Sequence, residues 1–145
     1  MQDLPHHYAV AATGEPQGDV ILATEGVDDL LSAPPVEFGG PGGRWSPESL
    51  LVAAVADCFV LSFRAIARAS KLPWTSLHCA VSGTLDRSDG KTRFTAFALH
   101  ARLVTPPDVE ADKAVRLLEK AETSCLITNS MSAATHLTTE VVAVD

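Results

Sequence analysis

From Pro47 to Lys71 the chain holds no internal residue that would interrupt a helix, and Leu72-Pro73 then stops the pattern. About 24 residues rising about 1.5 Å each make a helix of about 36 Å. Its middle is apolar around most of its circumference, with Leu50, Leu51, Val52, Ala53, Ala54, Val55, Ala56, Phe59, Val60, Leu61 and Phe63. A helix of that kind has to be buried on several sides. A membrane span is the rival reading, but Glu48, Asp57, Arg64 and Arg68 leave no uncharged stretch near the roughly 18 residues a span requires. The helix is therefore expected at the centre of a folded domain, with no membrane partner.

The rest of the chain has the means to cover part of it. With 145 residues, 46% hydrophobic and 20% charged, the sequence predicts a single domain over residues 1–145. Eleven basic against 18 acidic residues give a net charge of −7, which repels phosphate backbones, so no nucleic-acid partner is expected. Met1-Gln2-Asp3-Leu4-Pro5-His6-His7 has neither the basic nor the apolar segment of a signal peptide, and the expected location is cytoplasmic. Three widely spaced cysteines without a Cys-x-x-Cys pair suggest that any disulfide is transient.

Tyr8 to Ala12 and Asp19 to Thr24 flank a turn cluster and predict a hairpin. The loop Phe38-Gly39-Gly40-Pro41-Gly42-Gly43 leads into the helix start, where Ser46 is the predicted N-cap and Pro47 suits the first helical position. Leu77 to Leu85 and Arg93 to Leu103 alternate as strands joined by a turn at Asp86 to Gly90. Leu77, Cys79, Val81 and Leu85 are expected on one face of the first, and Phe97, Leu99, Ala101 and Leu103 on one face of the second. Pro106-Pro107-Asp108 opens a second helix leading toward Cys125, and His136 to Val144 predicts a last strand.

Cys58 and Cys125, 67 residues apart, each lie on or just after an apolar helical segment. That placement suits a peroxide-consuming thiol pair, while an inert core thiol remains the ordinary explanation of any one buried cysteine. A reactive thiol needs its thiolate stabilised, and Cys58 is too far into its helix to benefit from the N-terminus. An arginine is the natural cation, and Glu48 the acid best placed to orient it. Glu48 and Cys58 are ten residues apart, about 15 Å and about 80° around a straight helix. They cannot touch directly, so the carboxylate acts through an intermediary or faces the thiol of a second subunit. Cys79 alternates with Leu77 and Val81 and reads as a core residue. His6, His7, His78, His100 and His136 have no metal-ligand spacing, so no metal is expected.

The stretch Phe38-Gly39-Gly40-Pro41-Gly42-Gly43-Arg44-Trp45-Ser46-Pro47-Glu48-Ser49-Leu50, continued by the alanine-rich helix to Cys58-Phe59, resembles the signature of the OsmC/Ohr family. Ala121-Glu122-Thr123-Ser124-Cys125-Leu126-Ile127-Thr128-Asn129-Ser130-Met131-Ser132 resembles the family's second motif. The resemblance spans essentially the whole chain. It implies an α+β fold of the OsmC type, antiparallel strands around two long helices, in an intertwined homodimer. It further implies a cofactor-free peroxidase for organic hydroperoxides or hydrogen peroxide, with Cys58 as the attacking and Cys125 as the resolving cysteine, regenerated by an external, dihydrolipoamide-like dithiol.

Two positions depart from the family pattern. Relatives supply an arginine from the N-terminal β region, held by the helix-start glutamate, whereas here no arginine precedes Arg44. Arg44 is the nearby substitute, with a solvated loop cation as its ordinary explanation. Leu126 stands where many relatives have proline. The missing arginine leaves two alternatives open: a protein of this fold with weak or no peroxidase activity that binds a small apolar ligand at the dimer interface, or a dimeric scaffold whose cysteines only pack.

Overall fold

The computed structural model describes residues 1–145, which form two compact units, Met1–Leu50 and Leu51–Asp145. In the first, β1 (Ala11–Thr13), β2 (Val20–Ala23) and β3 (Leu30–Ser32) make an antiparallel sheet in that order. The expected hairpin is present, with Ala12 opposite Leu22, but β1 starts later than Tyr8 and residues 1–10 are exposed. The strand β3 escaped the sequence reading because three residues carry no measurable alternation.

After β3 the chain makes a 3-10 turn at Val36–Phe38 and closes on itself, the Ala33 N–H donating to the Trp45 carbonyl at 2.9 Å. The glycine loop has a steric reason at Gly40, where a Cβ would collide with the backbone of Pro34. Helix α1 (Pro47–Ala69) begins at a reciprocal cap. The Ser49 N–H donates to Ser46 Oγ at 3.1 Å, and the Ser46 N–H donates to Ser49 Oγ at 2.9 Å, so two of the orphan donors of the first turn are satisfied.

The helix ends two residues earlier than expected, because Lys71 adopts a positive φ of 55°. The N–H groups of Leu72 and Lys71 then bond back to the carbonyls of Ala67 and Arg68, at 2.9 and 3.2 Å, in the crossed pattern that closes a helix C-terminus. Val55, Phe59, Phe63 and Ala67, at four-residue spacing, are fully buried. The expected burial on several sides is not met within one chain. Only 22% of the most apolar 18-residue window of α1 is buried, although by length and composition the helix could span a membrane.

The second unit is built on a sheet of β4 (Ser76–Ser88), β5 (Lys91–Thr105) and β6 (Ala134–Ala143), in that order. Strands β4 and β5 form a long hairpin with a two-residue turn, Asp89 and Gly90 both at positive φ, the combination a tight hairpin's twist favours. A register shift at Thr84/Leu85 turns Leu85 outward, which corrects its expected place on the inner face with Leu77, Cys79 and Val81. Gly83 precedes the shift because a Cβ there would approach the Phe94 and Phe97 rings to 2.9 and 3.0 Å.

Strand β6 pairs with β5 in parallel, so this sheet is mixed where the sequence suggested antiparallel strands throughout. Helix α2 (Ala111–Ser124) supplies the crossover between them, as a parallel connection requires. Its Ala114, Leu118 and Ala121 join Phe97, Leu99, Ala101 and Leu103 of β5 and the buried stripe of α1 in one core. Trp74 closes one end, edge-on to Phe63 with ring centroids 5.4 Å apart. A four-residue helix α3 (Leu126–Asn129) follows Cys125 directly.

Candidate active site

In the second unit, α1 carries Cys58 half-buried, and Cys125 sits at the junction of α2 and α3 with 1% of its surface exposed. The junction exists because Cys125 leaves the helical region, with φ −66° and ψ 109°, before the chain turns into α3. Burial works to raise the Cys125 pKa. The backbone N–H and hydroxyl of Thr128, the thiol of Cys58 and the N–H of Ile127 more than offset it, and the pKa falls below the usual 9.0. Cys58 lines one groove with Leu126 and Ile127, the residues that follow Cys125, and its thiol is among the groups that lower the Cys125 pKa.

Cys58 also meets Ser62, one turn along α1, with Sγ 3.8 Å from Oγ. A groove of about 480 Å³ opens beside it, lined by Ala54, Asp57, Cys58, Leu61, Ser62 and Ala65 of α1 and by Leu126 and Ile127 of α3. Mostly carbon faces this groove, and Leu126 is 66% exposed at its rim. A bulky apolar molecule could lie against Cys58 here. No cluster of His, Cys, Asp and Glu side chains could hold a metal ion.

Glu48 belongs to the first unit, in the opening turn of α1. It borders a second groove of about 460 Å³, otherwise formed by residues such as Val20, Leu22, Pro34, Pro35 and Phe38. Its Oε1 is shielded from solvent and has no hydrogen-bond partner. Arg44 does not supply one: its Nε donates to Asp19 Oδ2 at 3.0 Å, in an exposed ion pair. Glu48 and Cys58 thus share one helix, while the cation the sequence sought for the carboxylate is held elsewhere.

Three participants escaped the sequence reading. Ser62 could have been found from its i+4 spacing to Cys58, and Thr128 from its place three residues after Cys125. Glu122, one turn before Cys125, also has a solvent-shielded oxygen, Oε2, without a partner, and nothing in its local sequence marks it.

An α+β unit with a long apolar helix carrying one thiol midway along it and a crossover helix ending at another defines a class of thiol-bearing folds. Residues 40–140 match the family described as OsmC-like protein, and the chain belongs to that family. It is 27% identical over 109 residues, 73% of each chain, to the uncharacterized protein YmaD of Bacillus subtilis. Its fold matches an OsmC-like protein of unknown function from Vibrio cholerae with a TM-score of 0.84 at 19% identity, over 95% of this chain and 100% of that one. An organic hydroperoxide resistance protein OsmC from Legionella pneumophila matches with a TM-score of 0.75 at 27% identity, over 98% and 100%. One from Elizabethkingia anophelis, also named for organic hydroperoxide resistance, matches with a TM-score of 0.78 at 20% identity, over 99% and 100%.

Proposed function

We propose that this protein is a thiol-dependent peroxidase for organic hydroperoxides, acting in the cytoplasm as a homodimer. The observation that carries the proposal is the pairing of Cys58 and Cys125, in which one thiol helps the other to ionise. Cys58, half-buried beside an apolar groove, is the attacking group. Its thiolate displaces the alkoxide from the peroxide O–O bond, leaving a sulfenic acid and, after proton uptake, an alcohol. The Cys125 thiolate then attacks the sulfenic sulfur, water leaves, and a Cys58–Cys125 disulfide forms. An external dithiol reduces it by two successive exchanges.

The asymmetry of the pair fits this order. Cys125 is shielded from a peroxide yet biased toward thiolate, which is what a resolving group needs once its neighbour has been oxidised. The homodimer is supported by the apolar surface a single chain leaves open, including Leu61 and Leu126 beside the groove and Leu4, Tyr8 and Val10 in the N-terminal segment.

A second reading, an OsmC-fold binder of small apolar ligands with little peroxidase activity, is favoured by one observation: Arg44 is paired with Asp19 and the Glu48 oxygen has no cation. Turnover separates the two. Consumption of cumene hydroperoxide with dihydrolipoamide as reductant is expected for the wild type and absent in Cys58→Ser. Equal, background-level rates in both proteins would leave the binding reading in its place.

A further inference from the structure

The proposed cycle gives no part to Asp57, the residue before the attacking cysteine. Among the residues that line the groove of about 480 Å³ it is the only charged one, the others being Cys58, Ser62 and aliphatic side chains of α1 and α3. Asp57 is exposed, and the ion pairs of the chain, Arg44 with Asp19, Arg93 with Asp89 and Arg102 with Glu140, leave it without a partner. The basic residues that follow on α1 stand farther from the thiol. Asp57 is about 100° around the helix and about 1.5 Å along it from Cys58, whereas Arg64 is about 120° around on the same side and about 9 Å along. Arg68 is a further turn away, and neither arginine lines the groove. The opposite wall, Leu126 and Ile127, belongs to α3, which has no charged residue. An apolar groove thus carries one fixed negative charge beside its thiol.

We propose, on the basis of the peroxidase reading, that Asp57 sets the substrate class of the Cys58 groove. Apolar hydroperoxides that are neutral or positively charged are accepted, and those that bear a carboxylate, such as fatty-acid hydroperoxides, are disfavoured. A carboxylate entering the groove loses water against Ala54, Leu61 and Leu126 and meets Asp57 with no cation to compensate. The ester of the same acid keeps the apolar body and escapes both costs. A like charge about 8 Å away at a protein surface lowers the local concentration of an anion by roughly two- to tenfold, and salt cancels most of that. Asp57 therefore decides which molecule reaches Cys58 and takes no part in breaking the O–O bond.

A test independent of peroxide chemistry compares alkylation of Cys58 by neutral iodoacetamide and anionic iodoacetate. Both are followed in the tryptic peptide 45–64, whose only cysteine is Cys58. Each rate is divided by that of free cysteine, so that only the effect of the protein remains. In the wild type, iodoacetate is expected to lag by roughly two- to tenfold, and less in about 1 M salt. Asp57→Asn should remove most of the lag and Asp57→Lys should reverse it. No lag in the wild type, or the same lag in wild type and both variants, overturns the proposal. In turnover with dihydrolipoamide, para-carboxycumene hydroperoxide should have a lower kcat/KM than its methyl ester, and Asp57→Asn should narrow the difference. Equal values for acid and ester in the wild type likewise overturn the proposal. Turnover of neither compound counts against the peroxidase reading, and the alkylation rates then decide the role of Asp57 on their own.

Discussion

The Cys58 thiol supports the thiolate of Cys125, a residue 67 positions away on a different helix. Burial alone would hold the Cys125 proton on. Hydrogen-bond donors gathered around Cys125 reverse that tendency, and one of them is Cys58, the attacking group of the proposed cycle. In the proposed cycle that relationship suits Cys125 to a reaction that begins only after Cys58 has been oxidised.

Thr128 lowers the Cys125 pKa through its N–H and its hydroxyl, the hydroxyl donating to the Cys125 carbonyl at 3.2 Å. Thr128→Val keeps the branched shape and the N–H but removes the hydroxyl, so the Cys125 pKa should rise. About tenfold less thiolate at neutral pH is expected for each unit of rise. Resolution should slow in proportion, and the Cys58 sulfenic acid should last long enough to be trapped by dimedone. Equal trapping in wild type and variant would show that the hydroxyl has no part in resolution.

The start of α1 rests on Ser46 and Ser49, each accepting the other's backbone N–H. Ser46→Ala removes the oxygen that Ser49 N–H uses and should lower stability by about 1 kcal/mol in urea titrations. Ser46→Asp, which restores an acceptor at the cap, should recover most of it. A loss in both variants alike would point to packing around the buried Ser46 side chain and away from the cap.

Cys79 gives stability a dependence on alkaline pH. Its folded pKa is about 11 against the usual 9.0, so between these values the unfolded chain releases the proton that the folded chain keeps. Stability is then greatest below pH 9 and declines as pH rises toward 11, the direction linkage requires when the folded state binds more protons. Melting temperatures across this range should fall more steeply for wild type than for Cys79→Ala. Parallel curves would show that the thiol titrates the same way folded and unfolded.

Much of this architecture could be read from local patterns. The Ser46-Pro47 start, the apolar run of α1 and the alternation of Phe97, Leu99, Ala101 and Leu103 each follow from one residue's neighbours in sequence, and each is found where the pattern put it. Non-local features could not be read that way. The parallel pairing of β6 depends on the α2 crossover, and the outward turn of Leu85 accompanies a register shift against β5 beside Gly83, on which the Phe94 and Phe97 rings of β5 close from across the hairpin.

The candidate site divides along the same line. Cys58, Cys125 and Glu48 stand in motifs and could be named as candidates from them, whereas the partner of Arg44 could not. Asp19 lies 25 positions earlier in an unremarkable turn, and only the fold brings its carboxylate to the guanidinium.

The most direct test of the account is the fate of the thiols after exposure to a stoichiometric organic hydroperoxide, followed by thiol counting and non-reducing peptide mapping. The account predicts rapid loss of two thiols and an intramolecular link between Cys58 and Cys125 as the first product, with no link in Cys58→Ser under the same peroxide. Three thiols still free after prolonged exposure would contradict it.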